Sequence, residues 1–248
     1  MAATEAMAAP TGVASPVGYA RIAGGAYLLV ILLGVVTVGL VESRLVVAGD
    51  HAATSANIAK HESLFRISLV GALILYGSVL VLSWALYVVL SPINEHISLL
   101  ALILRCAEGV LGCTTAILSL AALAALRTRT ASDGIDPALL QGAVGVLLEA
   151  RSAAMDVVLL FVGPGGVAFC YLLFVARLIP RALAVWGIIT YASMLALAVL
   201  SMLWPGHPVV IETVLYGAGT LFEVTIGLWL LVKAVDVDKW RAYAGARP

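Results

Sequence analysis

The chain has 248 residues, 62% hydrophobic and 11% charged, with a formal net charge of zero. Soluble domains carry about 25% charged residues, so a soluble globular protein is excluded, and the lack of basic excess argues against a nucleic-acid partner. The composition is that of an integral membrane protein with room for about six spans of roughly 20 residues.

Residues 1–18 are rich in Ala, Pro and Thr, carry one charge, Glu5, and read as a disordered tail. No basic segment precedes the first apolar run, which is too long for a signal-peptide core. It reads as an uncleaved span one, Ile22 to Val41, bracketed by Arg21 and Glu42. Span two is expected from Leu64 to Leu90. Ser91-Pro92 stops it, because proline lacks the N–H a helix needs and restricts the residue before it. Span three runs from Ile97 to Leu126 and ends at Arg127 and Arg129.

A polar stretch follows, with Asp133-Gly134 as a turn. Asp136-Pro137 reads as an N-cap and first-turn proline. Residues Ala138 to Ala150 place Leu140, Val144, Leu147 and Leu148 on one face and read as a short interfacial helix; the alternative is an extension of span four. Span four, Ser152 to Val175, contains Gly163-Pro164-Gly165-Gly166, where a kink or a half-helix break is expected. Span five runs from Ala182 to Trp204, Pro205-Gly206-His207-Pro208 turns the chain, and span six runs from Val209 to Val235. Residues 19–235 are thus expected to form an all-α bundle of six transmembrane helices, with 236–248 as a polar tail.

Six spans put both termini on one side. That side holds Arg21, Arg177, Arg181, Lys233, Lys239, Arg241 and Arg247; the other holds Arg44, Lys60, Arg127, Arg129 and Arg151. The bias predicts a plasma-membrane protein with cytoplasmic termini.

A charge at mid-bilayer costs about 2.5–3.5 kcal/mol on the insertion scale, so the charges inside spans mark candidate sites. Residues three, four or seven apart share a helix face. Arg105, Glu108, Gly112, Thr115 and Ser119 form one stripe on span three. Glu212, Tyr216, Gly219 and Glu223 form another on span six, and Ser152, Asp156, Gly163 and Cys170 a third on span four. Such stripes face inward, because lipid cannot satisfy them. At about 1.5 Å per residue, Glu108 and Glu223 lie near the midplane. The candidate binding or proton site is therefore Arg105, Glu108, Glu223, Asp156, Arg66 and Tyr216, lining a polar cavity. Two arginines do not neutralise three carboxylates, so one carboxyl is expected to hold a proton. The structural alternative is that Arg105, Glu108 and Glu223 pair only to lock spans three and six together, and that Arg66 and Asp156 sit hydrated near the interface.

Cys106, Cys113 and Cys170 read as packing residues. His61, Glu62, His207 and Glu212 match no metal-ligand spacing. No metal or cofactor is expected, and no catalytic motif is present.

The chain resembles a bacterial multi-pass family catalogued as domain of unknown function 4386. The likeness rests on Arg105-x-x-Glu108, on Ile179-Pro180-Arg181-Ala182-Leu183 with Gly187, and on Phe222-Glu223 followed by Gly227-Leu228-Trp229-Leu230-Leu231-Val232-Lys233. Arg21-Ile22-Ala23-Gly24 also fits. Members tend to follow the lysine with Gly, where this chain has Ala234, and many carry a histidine beside the acid of span four, where this chain has Met155. The resemblance implies six spans and no assigned activity.

Three functions compete. Midplane carboxylates and a broken span fit a small-solute or proton-linked transporter, which at six spans would work as a homodimer. A buried glutamate acting as acid or base fits an intramembrane enzyme on a lipophilic substrate, with a small hydrophobic or lipid ligand. Purely structural ion pairs fit a non-catalytic partner or sensor subunit.

Overall fold

Apolar runs in hydrocarbon form helices because every backbone polar group must be satisfied within the segment. The computed structural model describes residues 15–47, 49–131 and 137–245. Its elements are α1 (Pro16–Leu45), α2 (His51–Lys60), α3 (Glu62–Leu90), α4 (Glu95–Ala131), α5 (Pro137–Val175), α6 (Arg181–Leu203), α7 (Val209–Val232) and α8 (Val237–Ala244). All except α2 and α8 are long and apolar enough to cross a membrane. The protein is an all-α membrane bundle of six spans. The first 14 residues of the expected tail, the Asp133-Gly134 turn and the Asp136 cap lie outside the described residues.

Each spanning helix packs on the next in sequence, and α7 returns to α1, closing a ring in the order α1, α3, α4, α5, α6, α7. The α6–α7 seam is the sparsest of the six. Closure at α1–α7 depends on small residues. A Cβ on Gly24 would stand 2.5 Å from the Leu231 nitrogen and 2.6 Å from the Gly227 oxygen, so the two backbones touch, as at other small-residue interfaces in membranes. One apolar core, including Leu86, Leu90, Ile179 and Leu230, fills the ring at the end bearing the termini, here the terminal end. A second, including Leu45, Ile58, Phe65 and Leu126, fills the far end.

Four features differ from the expected elements. First, α5 is continuous from Pro137 to Val175, so residues 138–150 extend span four and form no separate interfacial helix. No helix-stopping residue separates Val144 from Ser152, and Val144 is fully buried in the far-end core. Second, of the kink or half-helix break expected at Gly163-Pro164-Gly165-Gly166, the break is absent: α5 runs on through it with Pro164 inside the helix. Third, α2 fills the first loop, capped by Asp50, which accepts a bond from the Ala53 N–H at 2.8 Å.

Fourth, the expected polar tail carries α8. Asp236 caps it, and the indole N–H of buried Trp240 donates to the Val89 carbonyl at 2.8 Å. Val89 lies in the last turn of α3, whose carbonyls lack intrahelical donors, so the tail caps a span. Just before it, Ala234 holds φ at 56° and donates its N–H to the Leu230 carbonyl. This left-handed helix end favours glycine, and Ala234 adopts it with a Cβ.

Candidate functional site

Arg105, Tyr191 and Tyr27 each lie about ten residues in from the terminal end, about 15 Å deep at 1.5 Å per residue. Arg105 and Glu108 are one turn apart on α4, so helix geometry alone puts them on one face. Arg105 Nη1 lies 2.7 Å from Glu108 Oε2, and the two side chains are 5% and 7% exposed. That oxygen has no aligned hydrogen bond among the described residues; the contact is held by charge. The Arg105 guanidinium also stands 5.8 Å from the centre of the Tyr191 ring, a cation–π distance.

Glu223 on α7 accepts a hydrogen bond from the Tyr191 hydroxyl at 2.9 Å. Tyr27 on α1 lies 3.1 Å from Tyr191, oxygen to oxygen. A phenol has one proton to give. Since Tyr191 gives its proton to Glu223, Tyr27 donates to Tyr191. The result is a directed chain, Tyr27 to Tyr191 to Glu223, across α1, α6 and α7. Glu223 lies in the electrostatic reach of Arg105 but has no ion pair of its own among the described residues. One guanidinium therefore serves two carboxylates.

The glycine cluster of α5 makes room for this site. A Cβ at Gly165 would press on Arg105 Cγ at 3.0 Å, and one at Gly166 would enter the Tyr191 ring at 2.3 Å. Gly163 lies against the backbone of α6 at the Tyr191 oxygen. The motif that reads as a helix break is a smooth docking surface for α4 and α6.

The other expected site residues do not join this cluster. Arg66 pairs with Glu62 at 2.7 Å, is 43% exposed, and shares Glu62 with Arg127 at the far rim. Asp156 faces Ser201 of α6, with Glu212 and His207 nearby; His207 pairs with Glu212 at 3.0 Å. Tyr216 is 38% exposed on α7, within reach of Asp156 and Glu212. Asp156, Ser201, His207, Glu212 and Tyr216 form a second polar group toward the far end, apart from the Arg66–Glu62–Arg127 cluster. Between the two groups stands Tyr76 of α3, its ring against Gly112 and its hydroxyl beside Met155 and Thr115.

The region of Ile22 to Ala234 encloses every residue of both groups. A family model described as Domain of unknown function (DUF4386) matches residues 22–234. The chain belongs to that family. The match takes in all six spans and stops short of α8. No curated protein and no solved structure matches the chain.

Tyr27, Tyr191 and Glu42 were not among the expected site residues. Phenols at mid-span are a readable signal, because a buried Tyr O–H seeks a partner. Glu42 is buried and pairs with Arg151 across α1 and α5. It sits at the end of a π-helical stretch, Val35–Glu42. The wider turn, which alters the facing of the end of α1, has no signature in the residues.

Proposed function

We propose that this protein is a proton-linked membrane carrier of a small solute, with Arg105, Glu108 and Glu223 as its coupling site. The observation that carries this reading is one arginine shared by two carboxylates inside the bundle, Glu108 buried and Glu223 half-buried. With both acids ionised, the site holds a net negative charge in a low-dielectric interior, where unpaired charge is costly. A proton on one carboxyl restores neutrality, and Glu223 is the place for it, because Glu108 already pairs with Arg105 at 2.7 Å whereas Glu223 has no ion pair of its own among the described residues. Glu223 is only half-buried. The second polar group, Tyr216, Asp156, Ser201 and Glu212, supports an approach to Glu223 from the far end. The sparse α6–α7 seam supports α7 as the element that moves.

Infrared difference spectra of the reconstituted protein, taken across neutral pH, test this. A protonated-carboxyl band lost in Glu223→Gln is expected. If no such band is present, both glutamates are ionised and the pairs act as struts.

The same seam favours a second reading, an intramembrane enzyme on a lipophilic substrate with Glu223 as acid or base, because Glu223 is half-buried on α7 where it meets Tyr191 of α6. Mass spectrometry of the detergent-extracted protein separates the two: a lipophile retained by wild type and lost in Glu223→Gln supports the enzyme.

The Lys/Arg bias further supports cytoplasmic termini in a plasma membrane. Reporter fusions are expected to read extracytoplasmic at His207 and cytoplasmic at Asn94; the opposite result at both inverts the topology.

A further inference from the structure

At the terminal end, the α5–α6 turn and the α7–α8 turn face each other across a groove of about 550 Å³. That is within the size range of small-molecule sites, about 300–1,000 Å³. Arg177, Arg181, Trp229, Lys233, Asp236 and Lys239 are among its lining residues.

The turns are built, not loose. Arg177 ends α5 with φ at 53°. Its N–H bonds the Phe174 carbonyl and the Leu178 N–H bonds the Leu173 carbonyl, the pair of bonds that closes a helix end. The Asp236 N–H bonds the Leu178 carbonyl at 3.0 Å, tying the second turn to the first. Lys239 donates to the Arg177 carbonyl at 3.3 Å.

The groove is electropositive. Four cations face one acid, and Asp236 already pairs with Lys239 at 2.6 Å. The Lys239 ammonium and backbone N–H hold the Asp236 carboxyl below the usual carboxylate range, so the acid stays charged and its single charge is used. Arg177, Arg181 and Lys233 have no acidic partner among the described residues. Arg181 is held over the Phe174 ring at 5.5 Å. It is also the first residue of α6, where backbone N–H groups lack intrahelical acceptors and favour an anion.

The two spans that end at the groove carry exposed apolar residues at the same end. Tyr171 and Val175 on the last turns of α5, and Leu228 and Val232 on the last turns of α7, are exposed. They offer a track for acyl chains beneath a site for a charged group.

We propose that this groove binds a phosphate group, supplied by the headgroup of an anionic phospholipid, with Arg177, Arg181 and Lys233 as its cationic contacts. The site is independent of the coupling site and of the carrier reading. For single lipid molecules bound in detergent, each groove cation is expected to contribute about fivefold in affinity, the scale of about 1 kcal/mol per Lys or Arg at an anionic headgroup.

The test is native mass spectrometry of the full chain from detergent, titrated with phosphatidylglycerol or with phosphatidylcholine. Wild type is expected to prefer phosphatidylglycerol. Arg181→Gln with Lys233→Gln is expected to lower that preference about 25-fold, and Arg181→Gln alone about fivefold, which covers a double variant that fails to fold. Arg21→Gln with Arg241→Gln removes two charges from the same end outside the groove and is expected to leave the preference intact. An equal loss in this control, or no loss in the groove variants, overturns the proposal. Inorganic phosphate at millimolar concentration is the second arm. If it displaces nothing and stabilises nothing, the lipid is the source; if it protects the lipid-free protein from thermal unfolding as well as phosphatidylglycerol does, a free phosphate compound is the occupant and the lipid is overturned.

Discussion

Gly24→Leu should open the bundle between its first and last spans. Even the first carbon of a side chain there would lie 2.5 Å from the Leu231 nitrogen and 2.6 Å from the Gly227 oxygen. Both are backbone atoms of a helix and cannot turn aside as a side-chain tip could. Overpacking in a core costs about 1–3 kcal/mol, and the full leucine exceeds the space by far more than one methyl, so separation of α7 from α1 is the expected outcome. Gly25, the next residue, has no neighbouring atom within 4 Å of such a carbon, and Gly25→Ala should be neutral. Thermal unfolding in detergent reads both. Equal midpoints for Gly24→Leu and wild type would show that the ring does not need this contact. Because Tyr27 is on α1 and Glu223 on α7, the same variant should also weaken the hydrogen-bond chain that ends on Glu223.

Arg105→Ala should be nearly as damaging. It removes the one cation among the described residues that serves Glu108 and Glu223, and Glu108 is only 7% exposed. Breaking a buried ion pair by deleting one member costs about 3–5 kcal/mol, whereas replacing both by apolar groups of similar volume is often close to neutral. Arg105→Met with Glu108→Leu should therefore recover most of the stability lost in Arg105→Ala. If both variants lose the same amount, the guanidinium matters for its packing against Gly165 and the Tyr191 ring, and its charge is incidental. The double variant should keep the fold but change the protonated-carboxyl band of Glu223, because that residue loses the cation it shares. A strut would leave no such trace.

What could be read from the residues was what lies within one helix. Six apolar runs of sufficient length define six spans, since lipid permits no other backbone arrangement for them. The spacing of Arg105 and Glu108 makes them a pair, because three residues along a helix return to the same face. The stripe of Gly112, Thr115 and Ser119 is buried for the same reason. Pro92 and Pro205 mark helix ends because proline cannot continue the ladder.

What could not be read depends on how each helix is rotated against its neighbours. Tyr191 reaches Glu223 and Tyr27 only because α6 sits between α5 and α7 and α7 closes on α1. Asp156 and Arg66 have the same one-dimensional credentials as Glu223, yet they face Ser201 and Glu62 and stay outside the central group. The glycines around Pro164 carry two contradictory local meanings, a break or a smooth face. A helix interior in hydrocarbon strongly favours keeping its ladder, and the side chains of Arg105 and Tyr191 fill the space the glycines leave. Helix periodicity is a property of one segment, whereas the partner of a buried polar atom is chosen by packing among several.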